Sequence, residues 1–183
     1  MKKIKIRNLV FAALGAAFIS VCSWITIPGT VPFILQTFAV FCVLCAFGAK
    51  VGTLAVITYI ALGAVGLPVF SNFNSGIGAI LGTTGGYIVG FVILALVYLI
   101  ATVLFPKKLI VEIAAMLVGL ILLYAFGTAW FVVVYTNNNG AISVSKALSL
   151  CVVPFILPDL VKMGLAILIS TRLRPFINKL HIS

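Results

Sequence analysis

Asp159 and Glu112 are the only side-chain carboxylates in 183 residues, and His181 is the only histidine. Asp159 stands three positions before Lys162 in the otherwise uncharged run Pro154-Phe-Ile-Leu-Pro-Asp-Leu-Val-Lys162. Positions i and i+3 share a helical face, so these two charges point the same way. A charge within a membrane-spanning helix costs several kcal/mol unless paired or hydrated, and is a functional candidate by default. A carboxylate beside an ammonium suits a ligand with N–H donors and an anionic group. The carboxylate accepts from the donors and the ammonium meets the anion, each charge-assisted bond being worth ~1.5–3 kcal/mol. The plainer alternative is mutual neutralisation that fixes helix packing. Against it, a pair on one helix does not require burial, and an apolar pair would cost less. Gln36, early in another apolar run, is a further polar candidate.

Other chemistries lack their residues. Acid–base catalysis needs a set of titratable groups in one site, and one terminal histidine with two distant acids supplies neither that nor a metal site. No catalytic residue, metal or cofactor is therefore expected. Cys42 and Cys45 form a C-x-x-C among Phe, Val, Leu and Ala. Without further ligands or a thioredoxin-like context they read as packing residues. Glu112, four residues after Lys108, is expected at an interface, salt-bridged to that lysine. No G-x-x-x-x-G-K-[ST] motif occurs, so ATP hydrolysis by a P-loop is excluded.

The elements that must hold these residues are membrane helices. Hydrophobic residues make up 64% of the chain and charged ones only 8%, with a mean hydropathy of +1.36; soluble domains keep about a quarter of their residues charged. Apolar runs of about 20 residues cross ~30 Å of hydrocarbon, and predict an all-α bundle of six transmembrane helices near 8–27, 33–49, 51–67, 85–105, 109–134 and 154–172. The 183 residues form one transmembrane domain. The first run is too long for a signal peptide and is read as a retained helix. The net charge of +10 does not point to nucleic acid, because the cations sit between hydrophobic runs instead of along one face. Their placement predicts orientation. With the N-terminus inside, every Lys and Arg except Lys146 and Lys162 is cytoplasmic, which places both termini in the cytoplasm.

Two external segments bear on a site. As one helix, 143–171 would be about 43 Å long, more than one crossing needs. Pro154 and Pro158 suggest an outer amphipathic stretch at 143–153, then a spanning helix that puts Asp159 and Lys162 in its outer half. The uncharged loop 68–84 mixes amides, hydroxyls and glycines with Phe70, Phe73, Ile77 and Leu81. Apolar side chains avoid water, so the loop is expected to fold down onto the bundle. In the first helix, Ala12, Ala13, Ala16 and Ala17 make two overlapping small-xxx-small pairs that permit close helix approach.

Five stretches, in order, resemble the BioY family, the biotin-binding subunits of energy-coupling-factor transporters. They are Val31-Pro-Phe-Ile-Leu-Gln-Thr37, Gly66-Leu-Pro-Val-Phe70, Leu81-Gly-Thr-Thr-Gly-Gly-Tyr-Ile-Val-Gly-Phe91, Gly127-Thr-Ala-Trp130 and Pro154 to Lys162. The resemblance implies a six-helix substrate-capture subunit in the cell membrane, with biotin as the transported ligand. It implies partners too: a membrane coupling protein and two cytoplasmic ATPase subunits. It places the family's acid–lysine pair on Asp159 and Lys162, a ureido partner on Asn74 and a ring contact on Tyr87. The alanine face of the first helix, at Ala12, Ala13, Ala16 and Ala17, would dock onto the coupling protein. The chain departs from the family pattern at Asn72, Phe73 and Ser75, where glycines are common, and at Thr83, where proline is. Capture of another vitamin such as thiamine or riboflavin, or a solitary biotin facilitator, is the alternative reading.

Overall fold

The computed structural model describes residues 6–27, 33–106 and 108–179. The loop 28–32, Lys2, Lys3, Lys5, Lys107 and His181, which enter the orientation and site arguments, lie outside them. Helices dominate: α1 (Ile6–Trp24), α2 (Gln36–Phe47), α3 (Ala49–Val65), α4 (Gly76–Leu81), α5 (Gly85–Leu104), α6 (Leu109–Asn139), α7 (Val144–Cys151) and α8 (Val153–Lys179). A 3-10 turn, Ser71–Phe73, precedes α4. Two short strands, β1 (Thr26–Ile27) and β2 (Phe33–Ile34), pair antiparallel with Thr26 opposite Ile34 and Ile27 opposite Phe33.

Among the described residues, α1, α5, α6 and the stretch Val144–Ile177 are long and apolar enough to cross a bilayer. The other two expected spans are shorter. α2 has 12 residues and α3 has 17, or about 18 and 26 Å. They meet at Gly48, whose φ of 80° is a backbone conformation that glycine alone adopts without strain. α6 runs 31 residues, past the expected end near 134 and through Asn137 and Asn138, and stops at Gly140 with φ 92°. The asparagines do not end this helix; the glycine at positive φ does. The break before α8 falls at Val152, with Pro154 in the first turn and Pro158 left inside the helix. Pro158 has no N–H to reach the carbonyl of Pro154, so the backbone just ahead of Asp159 is short of one hydrogen bond.

Packing divides the bundle. α5 lies along α6, α2 along α8, and α1 along α3, which bridges to α5. The α5–α6 pair interlocks through glycines: Leu123 fills the space over Gly90, and Leu94 the space over Gly119. α6 and α8 scarcely approach one another through their backbones, and the seam between them opens toward the end that carries β1, β2 and α4.

Candidate ligand site

The seam holds a cavity whose space, open mouth included, is about 730 Å3. Its walls are mostly apolar and aromatic, with Ile34, Phe70, Phe91, Leu123 and Phe155 among them. Asp159, Lys162, Gln36 and Tyr87 line the same space, so the structure brings together four of the five residues singled out for substrate. Asn74 is the exception. It is exposed and lies in a neighbouring recess, which shares Phe70, Ser71, Thr84 and Ile88 with the cavity. The reason is local: Asn72 and Phe73 take positive φ of 55° and 58°. The tight turn they make engages the carbonyl of Asn74 with the Phe70 N–H at 3.1 Å.

Asp159 and Lys162 are 4% and 5% exposed, which makes their partners decisive. Lys162 Nζ donates to Asp159 Oδ1 at 2.8 Å and to the Ile34 carbonyl at 2.8 Å, and sits 3.9 Å above the Phe33 ring. Tyr124 donates its hydroxyl to Asp159 Oδ2 at 2.6 Å. An ammonium has three donors and a carboxylate about four lone-pair sites, so each group keeps capacity for a ligand.

Sequence reasoning missed the groups that complete this array. Tyr124 is a phenol in the middle of a spanning helix, and a buried phenol normally finds a partner, which was the available signal. Phe33 and Ile34 reach Lys162 because the β1–β2 ribbon folds over the cavity. β-branched or aromatic pairs on either side of a Pro-Gly-containing loop were the hint.

The Gly127-Thr-Ala-Trp130 segment of α6 locks this wall. Gly127 leaves room for the Tyr87 ring, since a Cβ there would come within 2.3 Å of it. Thr128 and Tyr87 share a hydrogen bond of 3.0 Å between their hydroxyls. Trp130 donates from Nε1 to the Gly82 carbonyl at 3.0 Å and packs over Gly86. Gln36 donates to the Tyr59 hydroxyl at 3.0 Å, and Tyr59 meets Phe70 edge-on.

Two expectations need correction. Glu112 does not pair with Lys108; it is 8% exposed and forms an ion pair with Arg174 of α8. Lys108 is the extended residue before α6, so the i,i+4 geometry of a helix face does not reach it. Arg174 also donates from Nε to the Cys45 carbonyl at 3.0 Å, capping the last turn of α2, where a cation is favoured. The second correction concerns the alanines of α1. Ala12 and Ala16 are 2% and 0% exposed, packed within the bundle, because residues four apart lie on one face and that face meets α3. Ala13 and Ala17 point outward.

Cys42 and Cys45 are both buried free thiols. No group of three or more His, Cys, Asp or Glu able to hold a metal occurs among the described residues.

A family model described as the BioY family matches residues 1–179. The chain is 42% identical over 170 residues to "Biotin transporter BioY" of Thermotoga maritima, covering 92% of this chain and 96% of that protein. It is 37% identical over 172 residues to "Probable biotin transporter BioY" of Pyrococcus horikoshii, covering 93% and 98%. A crystal structure of the S-component for biotin from an ECF-type ABC transporter superposes with a TM-score of 0.74 at 26% identity, covering 93% of this chain and 92% of that one. A helical bundle with a charged pair in an apolar cavity, matched along nearly its whole length to one family, belongs to that family: the chain is a multi-pass membrane protein of the BioY family.

Proposed function

We propose that this chain captures biotin at the outer side of the cell membrane and delivers it into the cell as the substrate-binding subunit of an energy-coupling-factor transporter. The observation that carries this reading is the Tyr124–Asp159–Lys162 array in an apolar cavity, in a chain whose relatives are named biotin transporters. Biotin presents ureido N–H groups and a carbonyl at one end, an apolar thioether ring in the middle and a carboxylate at the other. Asp159 is suited to accept from ureido N–H, and the remaining N–H of Lys162 to donate to an oxygen of the ligand. Phe70, Phe91, Leu123 and Phe155 offer the apolar contact, and Gln36 and Tyr87 flank it.

In this reading α1, α2, α3, α5, α6 and α8 make six crossings with both termini in the cytoplasm. The basic residues support it, since the only external cation would be Lys146. The short α2 and α3 require local thinning of the bilayer or cover from neighbouring helices. The chain is a transport subunit and not an enzyme. Lacking a P-loop, it depends on partners, a membrane coupling protein and two cytoplasmic ATPases, for energy. The outward alanines Ala13 and Ala17 are the surface we assign to the coupling protein.

Native mass spectrometry of protein purified without added ligand tests the substrate directly. Bound biotin is the expected adduct; thiamine or riboflavin in its place would overturn the assignment.

A further inference from the structure

The segment between α3 and α5 has two faces of opposite kind. On its inner side Phe70, 2% exposed, and Ser71 wall the cavity. On its outer side Phe73, Ile77 and Leu81 are 62%, 64% and 58% exposed, and no charged residue occurs from Pro68 to Thr84. The segment does fold onto the bundle, yet these three side chains stay mostly exposed. Exposed large apolar side chains grouped on one short segment point to an interaction surface.

Its placement says what the patch meets. Phe73 is held outward by a positive φ of 58°, a conformation rare for a bulky residue, and its ring stacks on Trp24 at 5.0 Å. The Trp24 indole N–H is satisfied by the Pro68 carbonyl at 2.9 Å, which leaves the ring free to be apolar. Trp24 ends an outward stripe on α1 formed with Leu14, Phe18 and Val21, all exposed, at the spacing of one helical face. On a membrane-spanning helix that stripe faces lipid, and an indole at its end occupies the interfacial aromatic position. The Trp24–Phe73 stack carries the lipid-facing surface past the end of α1 and onto the loop.

We propose that the outer face of residues 73–81 is a lipid-contacting surface: Phe73, Ile77 and Leu81 insert into the boundary between headgroups and acyl chains of the outer leaflet. The wall of the ligand cavity is thereby anchored in the bilayer on its far side. The absence of charge means that a zwitterionic lipid suffices as partner. The inference rests on α1 crossing the membrane and is independent of which ligand the cavity takes.

Spin labels at Ile77→Cys and, separately, at Leu81→Cys of the full chain in phosphatidylcholine vesicles test it, with Ser145→Cys on α7 as the comparison. The native cysteines are buried, and the unsubstituted chain corrects for any labelling of them. Power saturation compares collision with oxygen, which partitions into lipid, and with a water-soluble nickel chelate. The expected result at both loop positions is an oxygen-to-nickel accessibility ratio at least threefold above that at position 145. A ratio equal to that at position 145 would place the loop in water and overturn the proposal. Low accessibility to both reagents would equally overturn it, by showing that a second copy of the chain covers the patch.

Discussion

Asp159 accepts from a phenol on one oxygen and an ammonium on the other, and the two donors come from different helices. The arrangement aligns the carboxylate without exhausting it, which suits a group that must also accept from a ligand. Asp159→Asn keeps the shape but removes the charge and, with its oxygen turned to the Lys162 ammonium, sets an NH2 donor against the Tyr124 hydroxyl in place of an acceptor. Biotin affinity is expected to fall at least tenfold, about 1.4 kcal/mol, by titration calorimetry; an unchanged Kd would remove Asp159 from the site. Tyr124→Phe removes a group that orients the carboxylate without itself meeting the ligand, and should weaken binding about three- to tenfold, or about 0.7–1.4 kcal/mol. The ordering of the two variants matters as much as their size, because a larger loss at Tyr124 would make the phenol and not the carboxylate the direct ligand contact. The charged pair was legible in the sequence because its cost inside a membrane is independent of fold. Tyr124 and the Ile34 carbonyl were not, because their roles depend on which helix lies opposite and on a ribbon that no long-range pattern announces.

α6 and α8 both line the cavity while their backbones scarcely approach one another, so polar side-chain links help set their separation. Tyr124–Asp159 joins them at the ligand end, and Glu112–Arg174 at the far end, where Arg174 also caps α2. Removing one partner of a buried pair costs more than the pair contributes. Arg174 remains partly exposed, with 29% of its side-chain surface open, so the loss is moderated. Glu112→Ala should lower stability by about 1–3 kcal/mol, read as a reduced thermal midpoint in detergent, and a midpoint equal to wild type would mean that the ion pair is idle. A second element-level contact bears on the cavity itself. A Cβ on Gly63 of α3 would fall 2.1 Å from Phe70 Cζ, while Phe70 also faces the cavity. Gly63→Ala is therefore expected to push the ring into the ligand space, weakening biotin at least tenfold with a smaller change in thermal midpoint; equal effects on both would indicate general disruption. The helices themselves were legible from apolar runs and prolines, apart from their ends. α6 outran its expected end because the asparagines did not break it, and α2 fell short because Phe33 and Ile34 form β2 at its start and Gly48 turns the chain at its end.

For the molecule as a whole, the two sides of α1 separate holding the fold together from working with partners. Four alanines in the sequence suggested one docking face, but small residues serve close packing inside a bundle as readily as outside it. Burial divides them: Ala12 and Ala16 fill the contact with α3, and Ala13 and Ala17 look outward. Sequence spacing could not choose between the two pairs, because both repeat every four residues. The division makes opposite predictions for the same kind of substitution. Ala16→Phe must force a bulky ring into a site with no exposed surface and should abolish folded protein, as size-exclusion chromatography would show. Ala13→Phe should leave folding and biotin affinity within about twofold of wild type, because its side chain touches neither core nor cavity. Uptake of labelled biotin by cells carrying the coupling protein and ATPases should fall more than tenfold if the Ala13–Ala17 surface is where the coupling protein sits. Unaltered uptake by a folded, biotin-binding Ala13→Phe chain would move the docking surface to another helix while leaving the ligand site untouched.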